Sequence, residues 1–204
     1  MNSIRDNMRR RHQLSNMNDM FLSVANGNLK GLENYLKNGG NVNLKDGNGT
    51  TLLHKTADEG DVSKVKVLLE NGCSLDLQDE DGCTPVYIAV NRGNHSVLKT
   101  LLEAGALVNT VSNQLTTPLT LAVIKKDCKS VRILLNFSKD CDIDMENYDR
   151  KSALTQAIVS NNQEICQMLL HQGASVKCIY GKSFTVELAR VLCQNIELMK
   201  IFLQ

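Results

Sequence analysis

Tryptophan is absent, aromatic residues make up 4% of the chain, and proline occurs only twice in 204 residues. A core without large rings must be aliphatic, which suits thin layers of short helices better than a broad sheet sandwich. Long apolar runs are lacking as well, so neither a secretory signal nor a membrane span is expected. The seven cysteines (Cys73, Cys83, Cys128, Cys141, Cys166, Cys178 and Cys193) are odd in number and include no Cys-x-x-Cys pair. That excludes a disulfide framework and a zinc site from the reading, and favours a reducing compartment, cytoplasmic or nuclear. Charge of one sign is missing too. A net charge of +1 argues against a nucleic-acid partner. The arginines Arg5, Arg9, Arg10 and Arg11, with His12, are read as a solvated basic leader over 1–12 rather than as a localisation signal or nucleic-acid patch.

What the chain does have is a period. Its two prolines lie 33 residues apart in matching frames, Thr84-Pro85-Val86-Tyr87-Ile88-Ala89 and Thr117-Pro118-Leu119-Thr120-Leu121-Ala122. One step earlier stands Thr51-Leu52-Leu53-His54-Lys55-Thr56, and the pairs Leu68/Leu69, Leu101/Leu102 and Leu134/Leu135 recur in the same register. The units run over about 13–45, 46–78, 79–111, 112–146, 147–178 and 179–204, the fourth carrying a two-residue insertion near Ser138–Cys141. Within a unit, Thr84 can cap a helix whose first turn holds Pro85, and Gly93 stops it, as Gly27 and Gly60 do in their copies. A second helix follows, as in Val62–Asn71 and Gln163–His171, and ends at Gly39, Gly72, Gly105 or Gly173. Turn sequences such as Asp46-Gly47-Asn48-Gly49 then project as hairpins between helix pairs.

From Asp79 to Asn109 these features follow D-x-x-G-x-T-P-L-H-x-A, a glycine stop, an apolar helix and L-L-x-x-G-A-x-V-N. In this the chain resembles the ankyrin repeat family over about residues 18–204. The resemblance implies an all-α solenoid of about six stacked helix-turn-helix units with hairpin-like loops, forming one repeat domain over 13–204. It also implies that His54 ties neighbouring units by hydrogen bonds. Departures mark sites expected to be strained or loosened: Lys126, Asn161 and Cys193 in place of a helix-stopping glycine, Arg150 in place of a turn glycine, and Thr56 in place of the small alanine. The sixth unit diverges most, with Phe184 in the Thr place and Ile201-Phe202-Leu203 closing the chain.

No constellation suggests catalysis. His12, His54, His95 and His171 fall in unrelated places, and Gly47-Asn48-Gly49-Thr50-Thr51 lacks the lysine of a phosphate loop. The acidic group Asp76, Asp79, Glu80 and Asp81 does not match a calcium loop and is read as solvated turn residues. Cys83, near a hairpin, has no local base to activate it. No cofactor, metal or enzymatic activity is expected.

The resemblance places binding on the concave side, at hairpin tips and first helices. The positions there that the repeat does not need are Asp58, Glu59, Glu80, Asp81, Asn91 and Arg92, then Ile124, Lys125, Tyr148, Asp149 and Val159. The series begins acidic and turns basic and apolar, as a protein-binding face would. Asn109, preceded by Val108 and by Leu101 eight residues earlier, resembles ankyrin asparagines hydroxylated by a cytosolic oxygenase, and is a candidate for that modification beside a plainer turn-stabilising role. The expected function is a non-enzymatic adaptor or stoichiometric inhibitor of another protein, monomeric without its partner. The alternative is the targeting or substrate-recognition part of a larger assembly, such as a ubiquitin-ligase adaptor, kinase regulator or channel.

Overall fold

The computed structural model describes residues 21–137 and 141–175, so the leader 1–12, residues 138–140 at the insertion and the unit 179–204 lie outside the described residues. The chain divides into two compact units, Met1–Ala106 and Leu107–Gln204. In the N-terminal unit a helical stretch over 21–25 precedes α1 (Leu29–Lys37), α2 (Leu52–Glu59), α3 (Val62–Glu70), α4 (Pro85–Arg92) and α5 (His95–Glu103). The C-terminal unit holds α6 (Pro118–Ile124), α7 (Cys128–Asn136), α8 (Ala153–Val159) and α9 (Gln163–His171).

Helices of seven to nine residues are too short to persist alone, so caps and packing must sustain them. First helices open on a hydroxyl: Thr51, Thr84, Thr117 and Ser152 each accept a backbone N–H from the first turn. Second helices open on Asn28, Asp61, Asp127 and Asn162, which do the same, and α5 opens on Asn94, which does not. In the N-terminal unit α2 packs on α4, and α3 packs on α1 and α5; in the C-terminal unit α6 packs on α8 and α7 on α9. Each unit thus has a layer of first helices and a layer of second helices. The core between them is aliphatic: Leu68, Leu101, Leu134 and Leu169 repeat in register and are fully buried, each worth about 2–3 kcal/mol.

The expected hairpins are present but minimal. Each tip closes through two backbone bonds, an outer one from Asp46 N–H to Thr50 O, Asp79 N–H to Cys83 O, Ser112 N–H to Thr116 O or Asn147 N–H to Lys151 O, and an inner one back to the same residue's carbonyl from Gly49, Gly82, Leu115 or Arg150 N–H. Side-chain acceptors do the rest: Asp46 Oδ1 receives the Asn48 and Thr50 N–H groups, and Asp79 and Asn147 repeat the pattern. Among the described residues the extended arms pair only as an isolated antiparallel bridge, Lys45 with Thr51.

Four tip positions in register adopt a left-handed backbone, Gly49, Gly82, Leu115 and Arg150, as do four first-helix stops, Gly60, Gly93, Lys126 and Asn161. Lys126, Asn161 and Arg150 therefore sit where the departures from the repeat pattern place them. Two expectations are corrected. Gly27 is not left-handed: a Cβ there would meet the Ser23 and Val24 carbonyl oxygens at 3.0 and 3.2 Å, so close backbone approach is what demands glycine. Thr56 does not loosen its site, because it is buried and its hydroxyl donates to Leu53 O at 3.0 Å.

Candidate functional site

The repeat register gives each face position four copies, and the two units fill them with different chemistry. At the C-terminal end of the first helices stand Asp58 and Asn91 in the N-terminal unit, against Ile124 and Val159 in the C-terminal unit. At the tips stand Glu80 and Asp81, against Tyr148 and Asp149.

In the N-terminal unit much of the expected acidity is matched internally. Arg92 bridges Asp58 of the preceding repeat, and Glu59 takes Lys64 at 3.0 Å and Lys55 at 3.9 Å. Lys64 occupies a buried position where later repeats place Val97, Ser130 and Ile165, and its Nζ also donates to Ala25 O at 3.3 Å. A buried ammonium needs such a partner, so Glu59 is held to the fold rather than offered to a ligand. Glu80, Asp81 and Asn91 remain at the surface.

The C-terminal unit carries the apolar part. Ile124 and Val159 are each 45% exposed at the ends of the adjacent helices α6 and α8, and Tyr148 on the following tip is 71% exposed. Lys125 and Lys126 stand beside Ile124 at the surface, while Asp149 lies 4.0 Å from Lys151. Sequence reasoning missed Leu115, an exposed leucine at its own tip. Stepping 33 residues from Gly82 would have found it.

Asn109 is half-buried and employed: its Oδ1 accepts the Asp142 N–H at 3.0 Å. Asn43 and Asp144 make the matching contacts to Ser74 and Ser175 N–H. The residue is a rung between successive loops.

The described cysteines show no activation. Cys83 is pushed up to about 11 by burial and by Asp79 and Asp81, and burial likewise holds Cys73, Cys141 and Cys166 at about 11. Such thiols are poor nucleophiles at neutral pH. Of the expected acidic turn group, Asp79 already spends an oxygen on the Asp81 and Cys83 N–H groups. A shallow depression of about 190 Å³ between α7 and α9 is lined by Arg132, Leu135, Asn136, Met168, His171 and Gln172, in the layer of second helices.

His54 is a structural centre. Its Nδ1 faces two donors, the Thr51 N–H at 3.2 Å and the Thr51 hydroxyl at 2.7 Å, so the proton sits on Nε2, which donates to Cys83 O at 2.9 Å in the next repeat. This is the tie the resemblance implied. Burial holds the imidazole below its ordinary value of 6.5, against the opposing pull of the Cys83 carbonyl and Asp79.

The family model for ankyrin repeats, three copies long, matches residues 20–112 and 108–179. No curated protein matches the chain. No helix among the described residues is long and apolar enough to cross a membrane.

Proposed function

Because this chain belongs to the ankyrin repeat family, a family of non-enzymatic protein-interaction modules, we propose that it acts as an adaptor or stoichiometric inhibitor that occupies the surface of another protein. The observation that carries this reading is the exposure of Ile124, Val159 and Tyr148 at positions the repeat leaves free. The exposed part of a branched aliphatic at a helix end gives the isolated chain no burial energy, whereas a partner that covers it gains that energy. Aromatic and aliphatic anchors beside lysines Lys125 and Lys126 suit a partner surface with an apolar centre and acidic surroundings. The scattered cysteines, free at Cys73, Cys83, Cys128, Cys141 and Cys166, support a cytoplasmic or nuclear setting, and the reading takes the chain as a monomer until its partner binds.

The test compares captures from cells by the wild-type chain and by Ile124→Asp/Tyr148→Ala, followed by affinity measurement on the recovered partner. The double substitution should weaken binding at least about tenfold, as for loss of central anchors. An unchanged affinity, or no partner reproducibly held by the wild type, would sink the proposal.

A further inference from the structure

The two units share one register, yet their repeats are tied to each other differently. Within the N-terminal unit, side chains cross from repeat to repeat. His54 Nε2 donates to Cys83 O at 2.9 Å, Asn94 Nδ2 donates to Ala57 O and Asp58 O at 2.7 and 3.1 Å, and Lys64 Nζ donates to Ala25 O at 3.3 Å. In the C-terminal unit two residues at those registers bond within their own repeat and a third is apolar. Thr120 accepts from the Thr117 hydroxyl at 3.1 Å, Asn162 caps its own helix at Ile165 N–H, and Ile165 itself stands where Lys64 does. A further crossing, Glu80 N–H to Asn48 O at 3.0 Å, has no Tyr148-to-Gln114 counterpart among the described residues. Among the described residues the C-terminal unit shows the loop rungs from Asn109 and Asp144 and an exposed Arg132–Glu164 pair of little weight.

The backbone tells the same story by a separate route. Left-handed positions filled by Gly49, Gly60, Gly82 and Gly93 in the N-terminal unit are filled by Leu115, Lys126, Arg150 and Asn161 in the C-terminal unit, with φ between 51° and 56°. Asparagine tolerates that region, but the other three do not, and each lowers the folded population by about five- to thirtyfold relative to an unstrained residue.

The stability of a repeat array is a sum of terms for each repeat and for each interface between neighbours. In the C-terminal unit the crossings described are fewer and three left-handed positions hold strained side chains. We infer that this unit opens first: α6–α9 exchange with a locally unfolded form while α2–α5 stay folded. The inference stands apart from the proposed partner. Its consequence is that the exposed anchors lie on the segment whose order a ligand can change.

Hydrogen–deuterium exchange of the full chain, read by mass spectrometry at neutral pH, tests this. Peptides from α6–α9 should show protection at least about tenfold below those from α2–α5. The triple variant Leu115→Gly/Lys126→Gly/Arg150→Gly should raise protection across α6–α9 by at least about tenfold and leave α2–α5 as they were. Equal protection across α2–α9, a lower value in α2–α5, or a triple variant whose α6–α9 protection does not move would each overturn the inference.

Discussion

Replacing His54 with alanine should destabilise the N-terminal unit by about 3 kcal/mol, because two kinds of loss combine at one buried site. The imidazole is 1% exposed and bonds in two directions, back to Thr51 in its own capping turn and forward to Cys83 O in the next repeat. Alanine strands the Thr51 N–H, leaves the Cys83 carbonyl with the Asp79 N–H alone, and opens a cavity. The chain itself supplies the control. At the same register the C-terminal unit uses Thr120 and Thr155, each bonded to its own helix cap. His54→Thr should keep the local bond and lose only the crossing, at about 1–1.5 kcal/mol. Urea unfolding followed by circular dichroism reads both, and equal costs for the two substitutions would mean that the bond to Cys83 carries nothing.

The same histidine sets a pH dependence whose sign follows from its tautomer. Protonating Nδ1 would turn an acceptor toward two donors, and burial already disfavours the charged ring, so its folded value lies below the ordinary 6.5. The unfolded chain then binds the proton more readily. Stability from this site is complete above about pH 6.5 and declines as pH falls from there through the lower folded value. Between pH 7 and 5.5 the unfolding midpoint of the wild type should fall, and that of His54→Thr should stay flatter. Parallel slopes would show that His54 titrates no differently in the two states.

The period, the helices and their caps were legible because each is set by local chemistry repeated at one spacing. Thr84 before Pro85 and Gly93 after Arg92 bound α4, and Gln163–His171 is helical over the expected residues. Even strain could be read where a known glycine position held Lys126, Asn161 or Arg150. Leu115 escaped because nothing in Gln114-Leu115-Thr116 itself signals a turn; only the register does. The candidate face was legible as a set of positions but not as a charge pattern. Pairing of Asp58 with Arg92 joins residues 34 apart, and Glu59 meets Lys64 around a helix junction, contacts that depend on how repeats stack. The series that reads as acidic along the chain is therefore largely neutralised at the first-helix ends of the N-terminal unit. The apolar residues needed no such context, since Ile124 and Val159 stand out against the polar copies in their own register.

Gly60→Ala should cost about 2–4 kcal/mol, more than a left-handed glycine ordinarily commands. Its φ is +76°, which alone strains an alanine by about 1–2 kcal/mol. The added Cβ would also stand 2.9 Å from Asn94 Oδ1 and 3.0 Å from its Cγ. Asn94 can move only by giving up its bonds to Ala57 O and Asp58 O, which tie the repeat to its neighbour. Gly72 separates the two effects, because its φ is +71° with nothing within 4 Å of an added Cβ, so Gly72→Ala should show strain alone. In an Asn94→Ala background the cost of Gly60→Ala should shrink toward that of Gly72→Ala, a coupling a double-mutant cycle measures. Lys126, at the register of Gly60, offers the reverse experiment: Lys126→Gly should gain about 0.5–1 kcal/mol, strain relief offset in part by the entropy glycine adds to the unfolded chain. If Gly60→Ala and Gly72→Ala cost the same, the tie through Asn94 is energetically idle, and one of the contacts that distinguishes the N-terminal unit loses its weight.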